Sequence, residues 1–264
     1  MSHLLIFGFG YTASRLAMRL HAEGWQVTGT NRATLPLDSP AVADAIGSAT
    51  HILSSVPPGG DGDPVLAAHA DRLRTAPATW LGYLSSTGVY GDTQGAWVDE
   101  AAPVGGGRRD ARTAADLAWQ ALRRDVCVFR LPGIYGPGRS ALDRVRAGTA
   151  QRVDAPPEQV FSRIHVDDIV AALVASFERG AGGIYNLADT EPASGNAVTE
   201  YACDLLGVAY PPVVPVAALS VMAKGFYAET RRVAARKMTR DLSVRLRYPD
   251  YRTGLRACLT ESST

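Results

Sequence analysis

Apolar residues recur along the chain with two alternating periods. The run Leu4-Leu5-Ile6-Phe7 is continuously apolar, as in a strand buried on both faces, and Ala13, Leu16, Ala17 and Leu20 then follow at helical spacing as far as Gly24. Gln26-Val27-Thr28-Gly29-Thr30 reads as a second strand, which completes a strand–helix–strand unit. Further strands are predicted at 51–56, 80–85, 126–131 and 184–187, with helices at 65–76, 111–123 and 166–177 between them. Alternation of this kind, without an internal repeat, predicts an α/β fold with a doubly wound parallel sheet of the Rossmann type. Gly/Pro-rich stretches at 57–64 and 103–107 fall after strands, on the sheet edge where such folds bind ligands. Strands become scarce beyond Glu191, and Pro211, Pro212 and Pro215 precede more helical pattern. The expected division is a Rossmann domain over 1–190, with a loop excursion near 132–160 that joins the second unit, and a small, mostly helical substrate-binding subdomain over 191–264.

Between the first strand and helix stands Gly8-Phe9-Gly10-Tyr11-Thr12-Ala13, a GxGxxA turn. Gly8 suits a tight turn, Gly10 leaves room for a pyrophosphate to approach the backbone, and Ala13 lets the helix pack closely on the strand. With Tyr11 and Thr12 these residues predict a dinucleotide site at the helix N-terminus. A chain that prefers NAD places an acid on the ribose at the end of the second strand; this chain has Asn31-Arg32. An arginine there pairs with a 2′-phosphate, so NADP is the preferred cofactor and NAD the alternative.

The 264 residues suffice for one large α/β domain with a small partner. A net charge of +1 gives no electrostatic case for nucleic acid or an anionic membrane. Cys127, Cys203 and Cys258 are odd in number and form no CxxC, so neither a disulfide framework nor a metal site is expected. No apolar run is long enough for a signal core or a membrane span. The expectation is a cytoplasmic protein whose partners are a small-molecule substrate and optionally a second copy in a homodimer, with no nucleic acid and no membrane.

Four ordered motifs extend over nearly the whole chain: Gly8-Phe9-Gly10, Ser85-Ser86-Thr87-Gly88-Val89-Tyr90-Gly91, Arg130-Leu131-Pro132-Gly133-Ile134-Tyr135-Gly136-Pro137-Gly138 and Arg163-Ile164-His165-Val166-Asp167-Asp168-Ile169. In this order they resemble the extended short-chain dehydrogenase/reductases, the NAD-dependent epimerase/dehydratase family, in an atypical branch. The resemblance implies a cofactor domain with a smaller substrate domain, often for nucleotide sugars. It also implies a Ser/Thr, a Tyr and a Lys that manage the proton while the cofactor exchanges hydride. Ser86 matches the serine, and Pro132-Gly133-Ile134 match the loop beside the nicotinamide. Ser54 and Ser55, at the end of the third strand, join the cofactor set.

The expected YxxxK is missing. Arg108 and Arg112 fall at the tyrosine and lysine positions, and the only lysines, Lys224 and Lys237, have Ser220 and Val233 four residues before them. Arginine does not supply a proton at neutral pH. Tyr90, four residues beyond Ser86, and His165 are therefore the candidate replacements, against structural alternatives in which Tyr90 packs on the sheet and His165 merely precedes a capped helix. Thr87, Arg112, Arg139 and Arg232 are the candidate substrate contacts. Ala235 stands where nucleotide-sugar members often carry an acid, a departure that weakens a nucleotide sugar as substrate. The functional expectation is hydride transfer or epimerase-like chemistry on a small polar metabolite or nucleotide sugar with a non-standard site. The alternative is a catalytically silent NADP-binding regulator or redox sensor.

Overall fold

β1 (His3–Phe7) lies between two apolar layers because its side chains alternate between them: Leu4 and Ile6 enter one core, Leu5 and Phe7 the other. In the computed structural model, which describes residues 2–108, 110–179 and 182–261, β1 pairs in parallel with β2 (Gln26–Gly29) and β3 (His51–Ser54). β4 (Trp80–Ser86), β5 (Val126–Leu131) and β6 (Gly183–Asn186) extend the sheet on the β3 side. The six-stranded order is β6-β5-β4-β3-β1-β2, so the strand order reverses between β1 and β3. In open parallel sheets the crevice beyond the carboxyl ends at such a reversal is the ligand site.

α1 (Tyr11–Ala22) buries Ala13, Leu16, Ala17 and Leu20 on one face of the sheet. α2 (Pro40–Ser48), α3 (Pro64–Thr75) and α4 (Asp110–Leu122) cover the other, contributing Val42, Ile46, Leu73 and Trp119. Asp63 fixes two of them: one oxygen accepts from Val65 N (2.9 Å) and Leu66 N (3.0 Å) at the start of α3, the other from Trp119 Nε1 (2.9 Å) on α4.

α5 (Ala141–Arg146) starts at a capping box made by Ser140 and Asp143. α6 (Val166–Arg179) returns to the α1 face of the sheet. α7 (Gly195–Leu206), α8 (Val221–Tyr227), α9 (Arg236–Leu242) and α10 (Tyr251–Glu261) follow. α5, α7 and α10 share a separate apolar cluster containing Leu142, Val198, Ala202 and Leu255, so the excursion after Pro132 packs with the C-terminal helices. Strand Arg152–Asp154 of that excursion pairs with Val213–Pro215. The segment 191–264 is nevertheless not confined to this unit: Met238, Leu242 and Val244 pack into the core on the α1 and α6 face. No helix among the described residues is long and apolar enough to cross a membrane.

Candidate functional site

The turn after β1 is built for a ligand by the backbone. Gly8 has φ +82°, and a Cβ there would stand 2.9 Å from Val56 Cγ2, so both its conformation and its space require glycine. Thr30, just past β2, holds the turn: its hydroxyl accepts from Gly8 N (3.0 Å) and its carbonyl from Phe9 N (3.1 Å). Gly10 is the N-cap of α1, where no side chain caps the helix and no acid stands in the first turn. The first N–H groups of a helix lack partners within it. A Cβ at Gly10 would meet no atom within 4 Å, so this glycine faces open space. The turn therefore fits a pyrophosphate, with Gly10, Tyr11 and Thr12 on the cleft and Ala13 buried behind them.

Asn31 accepts at Oδ1 from Ala33 N (2.8 Å) and Thr34 N (2.7 Å), forming a tight turn that carries Arg32. Arg32 is exposed, makes no ion pair among the described residues and lies outside the cleft proper. Ser54 is fully buried, with an Oγ that finds no hydrogen-bond partner, and does not line the cleft; its neighbour Ser55 does.

The cleft, of about 770 Å³, runs from this turn to α5, α7 and α10. Ser86, at the end of β4, accepts at Oγ from Gly88 N (3.1 Å) and so caps the short 3-10 turn Thr87–Tyr90. Ser86 and Thr87 line one side; Pro132, Gly133 and Ile134 line another. The Tyr11 hydroxyl donates to the Pro137 carbonyl (3.0 Å), and burial pushes its pKa up to about 12.

Two proposed proton carriers stand behind the cleft wall instead of on it. Tyr90 is buried; its hydroxyl donates to Asn186 Oδ1 (2.7 Å) and accepts from an Arg130 guanidinium nitrogen (3.0 Å). Arg130 in turn forms a two-pronged pair with Asp116 (2.8 and 3.1 Å), which also accepts from Ser85 Oγ (2.5 Å) and Gln120 Nε2 (2.6 Å). This chain of polar groups satisfies Tyr90 within the protein. His165 is fully buried between Tyr135 and Tyr248, with Nδ1 accepting from Asp167 N (3.2 Å) and Nε2 3.7 Å from Cys258 Sγ. Burial lowers its pKa to about 4, so it is neutral at pH 7 and screened from a substrate.

Arg232 also leaves the candidate set. It belongs to a short strand paired with Trp97–Val98 and hydrogen-bonds to the Gly95 carbonyl, whereas its neighbour Arg231 lines the cleft. Side chains alternate along a strand, so choosing between adjacent arginines needs the register. Arg112, on the first turn of α4, and Arg139, whose guanidinium lies 5.5 Å from the Tyr11 ring centre, do line the cleft. So do Arg108, Arg144, Arg163 and the buried Glu229, none of them in the expected site. Glu229 accepts from Arg108 N (3.1 Å) and pairs with the Arg231 guanidinium (3.0 Å), joining the segment before α4 to the one after α8. Six arginines thus face the cleft against one carboxylate.

No protein-family model matches the chain. A conserved protein of unknown function from Silicibacter pomeroyi DSS is 41% identical; the two chains cover each other fully and superpose with a TM-score of 0.89. A 3-diazoavenalumate denitrifying reductase from a Streptomyces species is 31% identical over 204 residues, which span 72% of this chain and 65% of that protein. The human epimerase family protein SDR39U1, solved with NADPH, shares the fold at 18% identity, with a TM-score of 0.77 over 97% of this chain and 99% of that one.

Proposed function

The chain belongs to one family with the Silicibacter pomeroyi protein and has the fold of the extended short-chain dehydrogenase/reductases, and on that premise we propose that it is an NADP-dependent oxidoreductase of a small polar metabolite. The observation that carries this reading is the uncapped, acid-free N-terminus of α1, which opens on the same cleft as Ser86. Gly10, Tyr11 and Thr12 hold the pyrophosphate, Arg32 on its Asn31 turn pairs with the 2′-phosphate, and Ser55 with Pro132, Gly133 and Ile134 borders the remainder. When bound, NADP(H) supplies or accepts a hydride at its nicotinamide. The Streptomyces relative is a reductase, which agrees with that chemistry.

Ser86 is the polar group that orients the substrate. Its oxygen is already taken as acceptor by Gly88 N–H, which leaves its own proton to donate to a substrate oxygen. No tyrosine–lysine pair assists it, and a missing acid/base group typically slows turnover by ~10²–10⁴-fold. Epimerase-like chemistry uses the same hydride step out and back. The arginines at the tyrosine and lysine positions favour a second reading, a silent NADP-binding regulator.

Stopped-flow oxidation of bound NADPH across a panel of metabolites separates the two. The expected result is slow turnover on a subset of the panel, reduced about tenfold or more by Ser86→Ala with NADPH affinity unchanged. Tight NADPH binding without turnover on any compound would support the regulator.

A further inference from the structure

The end of the cleft remote from the glycine turn carries Arg144 and Arg163, neither of which forms an ion pair among the described residues. For Arg144, on α5, the adjacent Asp143, whose Oδ2 accepts from Ser140 N (2.7 Å) and Ser140 Oγ (2.6 Å), acts on it only through space. Among the described residues Arg163 bonds only to neutral carbonyls, those of Phe161 and Ala193 (2.8 Å each) and Ser194 (3.4 Å). Burial and the neighbouring Arg144 charge both lower the pKa of Arg163, and Asp189, which opposes them, stands beyond ion-pair distance. The like charges of Arg144 and Arg163 also act together on Tyr227, whose ring meets Phe161 edge-on at 5.3 Å. Two guanidiniums that line one end of a cleft and form no ion pair among the described residues make a site for an anion.

The surroundings narrow the anion. Val198, Leu255, Ala141, Phe161 and Phe226 supply apolar wall at this end. Among the described lining residues there is no Asp, Asn, Gln, Lys or His, and Glu229 is committed to Arg108 and Arg231. Sugar hydroxyls need side chains that both accept and donate; at this end those are Tyr135, Ser162 and Tyr251, of which Tyr135 donates to the Asp250 carbonyl (3.3 Å) and Ser162 Oγ accepts from Val233 N (3.0 Å). The volume of about 770 Å³ is also shared with the cofactor end, which leaves room for a compact molecule.

We propose that this end of the cleft binds a compact carboxylate with an apolar or aromatic body, Arg144 being its principal anion contact. The proposal rests on the oxidoreductase reading and names the substrate class of that same site. Its recognition is charge-assisted at one end and apolar along the body, which discriminates against a nucleotide sugar.

The test is calorimetric titration of 3-phenylpropanoate, its neutral amide 3-phenylpropanamide, phenyl phosphate and UDP-glucose into the protein, with and without saturating NADPH. The carboxylate should bind about tenfold or more tightly than the amide, and Arg144→Met should remove that advantage while leaving amide and NADPH affinities unchanged. Equal affinity for acid and amide, no detectable binding of either, or tighter binding of phenyl phosphate or UDP-glucose would overturn the proposal. An equal loss for acid and amide in Arg144→Met would also overturn it. Failure of wild type to bind NADPH would instead defeat the cofactor reading, and the acid–amide difference without NADPH would still decide the subsite.

Discussion

The wall of the cleft and the layer directly behind it use the same residue types for opposite ends. Behind the wall, Arg130 is 1% exposed and shares its charge with Asp116, Tyr90 bonds to Arg130 and Asn186, and His165 is enclosed by aromatic rings. On the wall, Arg139 and Arg144 have no carboxylate partner among the described residues, the first N–H groups of α1 face outward, and Ser86 keeps its proton. Groups already satisfied by the protein hold the fold. Groups left unsatisfied at an opening are those with binding energy to give.

The contrast breaks if substitutions behind the wall alter binding, or those on the cleft side alter stability. Asp116→Ala should have the largest effect, because it leaves the Arg130 charge buried without a partner. Urea unfolding should show a loss of about 3–5 kcal/mol, with NADPH affinity unchanged in the folded fraction.

His165 gives a pH-dependent effect whose sign follows from its depressed pKa of about 4. Below the ordinary value near 6.5, an unfolded chain takes up a proton that the folded site refuses. Its contribution to stability is therefore full above pH 6.5 and is lost as pH falls toward 4. The stability difference between wild type and His165→Gln, measured by urea unfolding across that window, should shrink by ~2–3 kcal/mol on acidification. A difference constant with pH would place His165 in a solvated setting.

Arg32→Ala, on the exposed turn just outside the cleft, should weaken NADPH by about tenfold or more, from ~1.5–3 kcal/mol of charge-assisted contact. NADH affinity and the melting temperature should stay nearly unchanged; equal losses for both cofactors would remove the 2′-phosphate assignment. Tyr90→Phe should have the smallest effect, about 1–2 kcal/mol of stability from the lost hydroxyl bonds, without change in NADPH binding or turnover.

The strand–glycine turn–helix was legible because the segment 3–32 encodes it locally: a buried strand, two glycines with different duties, and a helix with a clean apolar stripe. The main strands and three of the long helices followed from their periods. α2 escaped because its buried face amounts to Val42 and Ile46, too short a stripe to register as periodic. The far end of the cleft is assembled from residues 108 to 255, which no local pattern connects. Arg144 and Arg163, nineteen residues apart, reach the same cleft only in the folded chain, and Arg231 differs from Arg232 only by strand register. Motif order drew Tyr90 and His165 toward the chemistry, but their burial depends on partners such as Asn186 and Tyr248, far away in sequence.

Calorimetric titration of NADPH into wild type and Gly10→Val tests the glycine turn most directly. Gly10 has φ −98° and ψ −164°, an extended conformation open to valine, and its missing side chain would touch no protein atom, so the variant should fold. Wild type should bind NADPH more tightly than NADH, and the folded variant should bind neither detectably, because the β-branched side chain occupies the phosphate approach. A folded Gly10→Val protein that binds NADPH as tightly as wild type would contradict the assignment of this cleft.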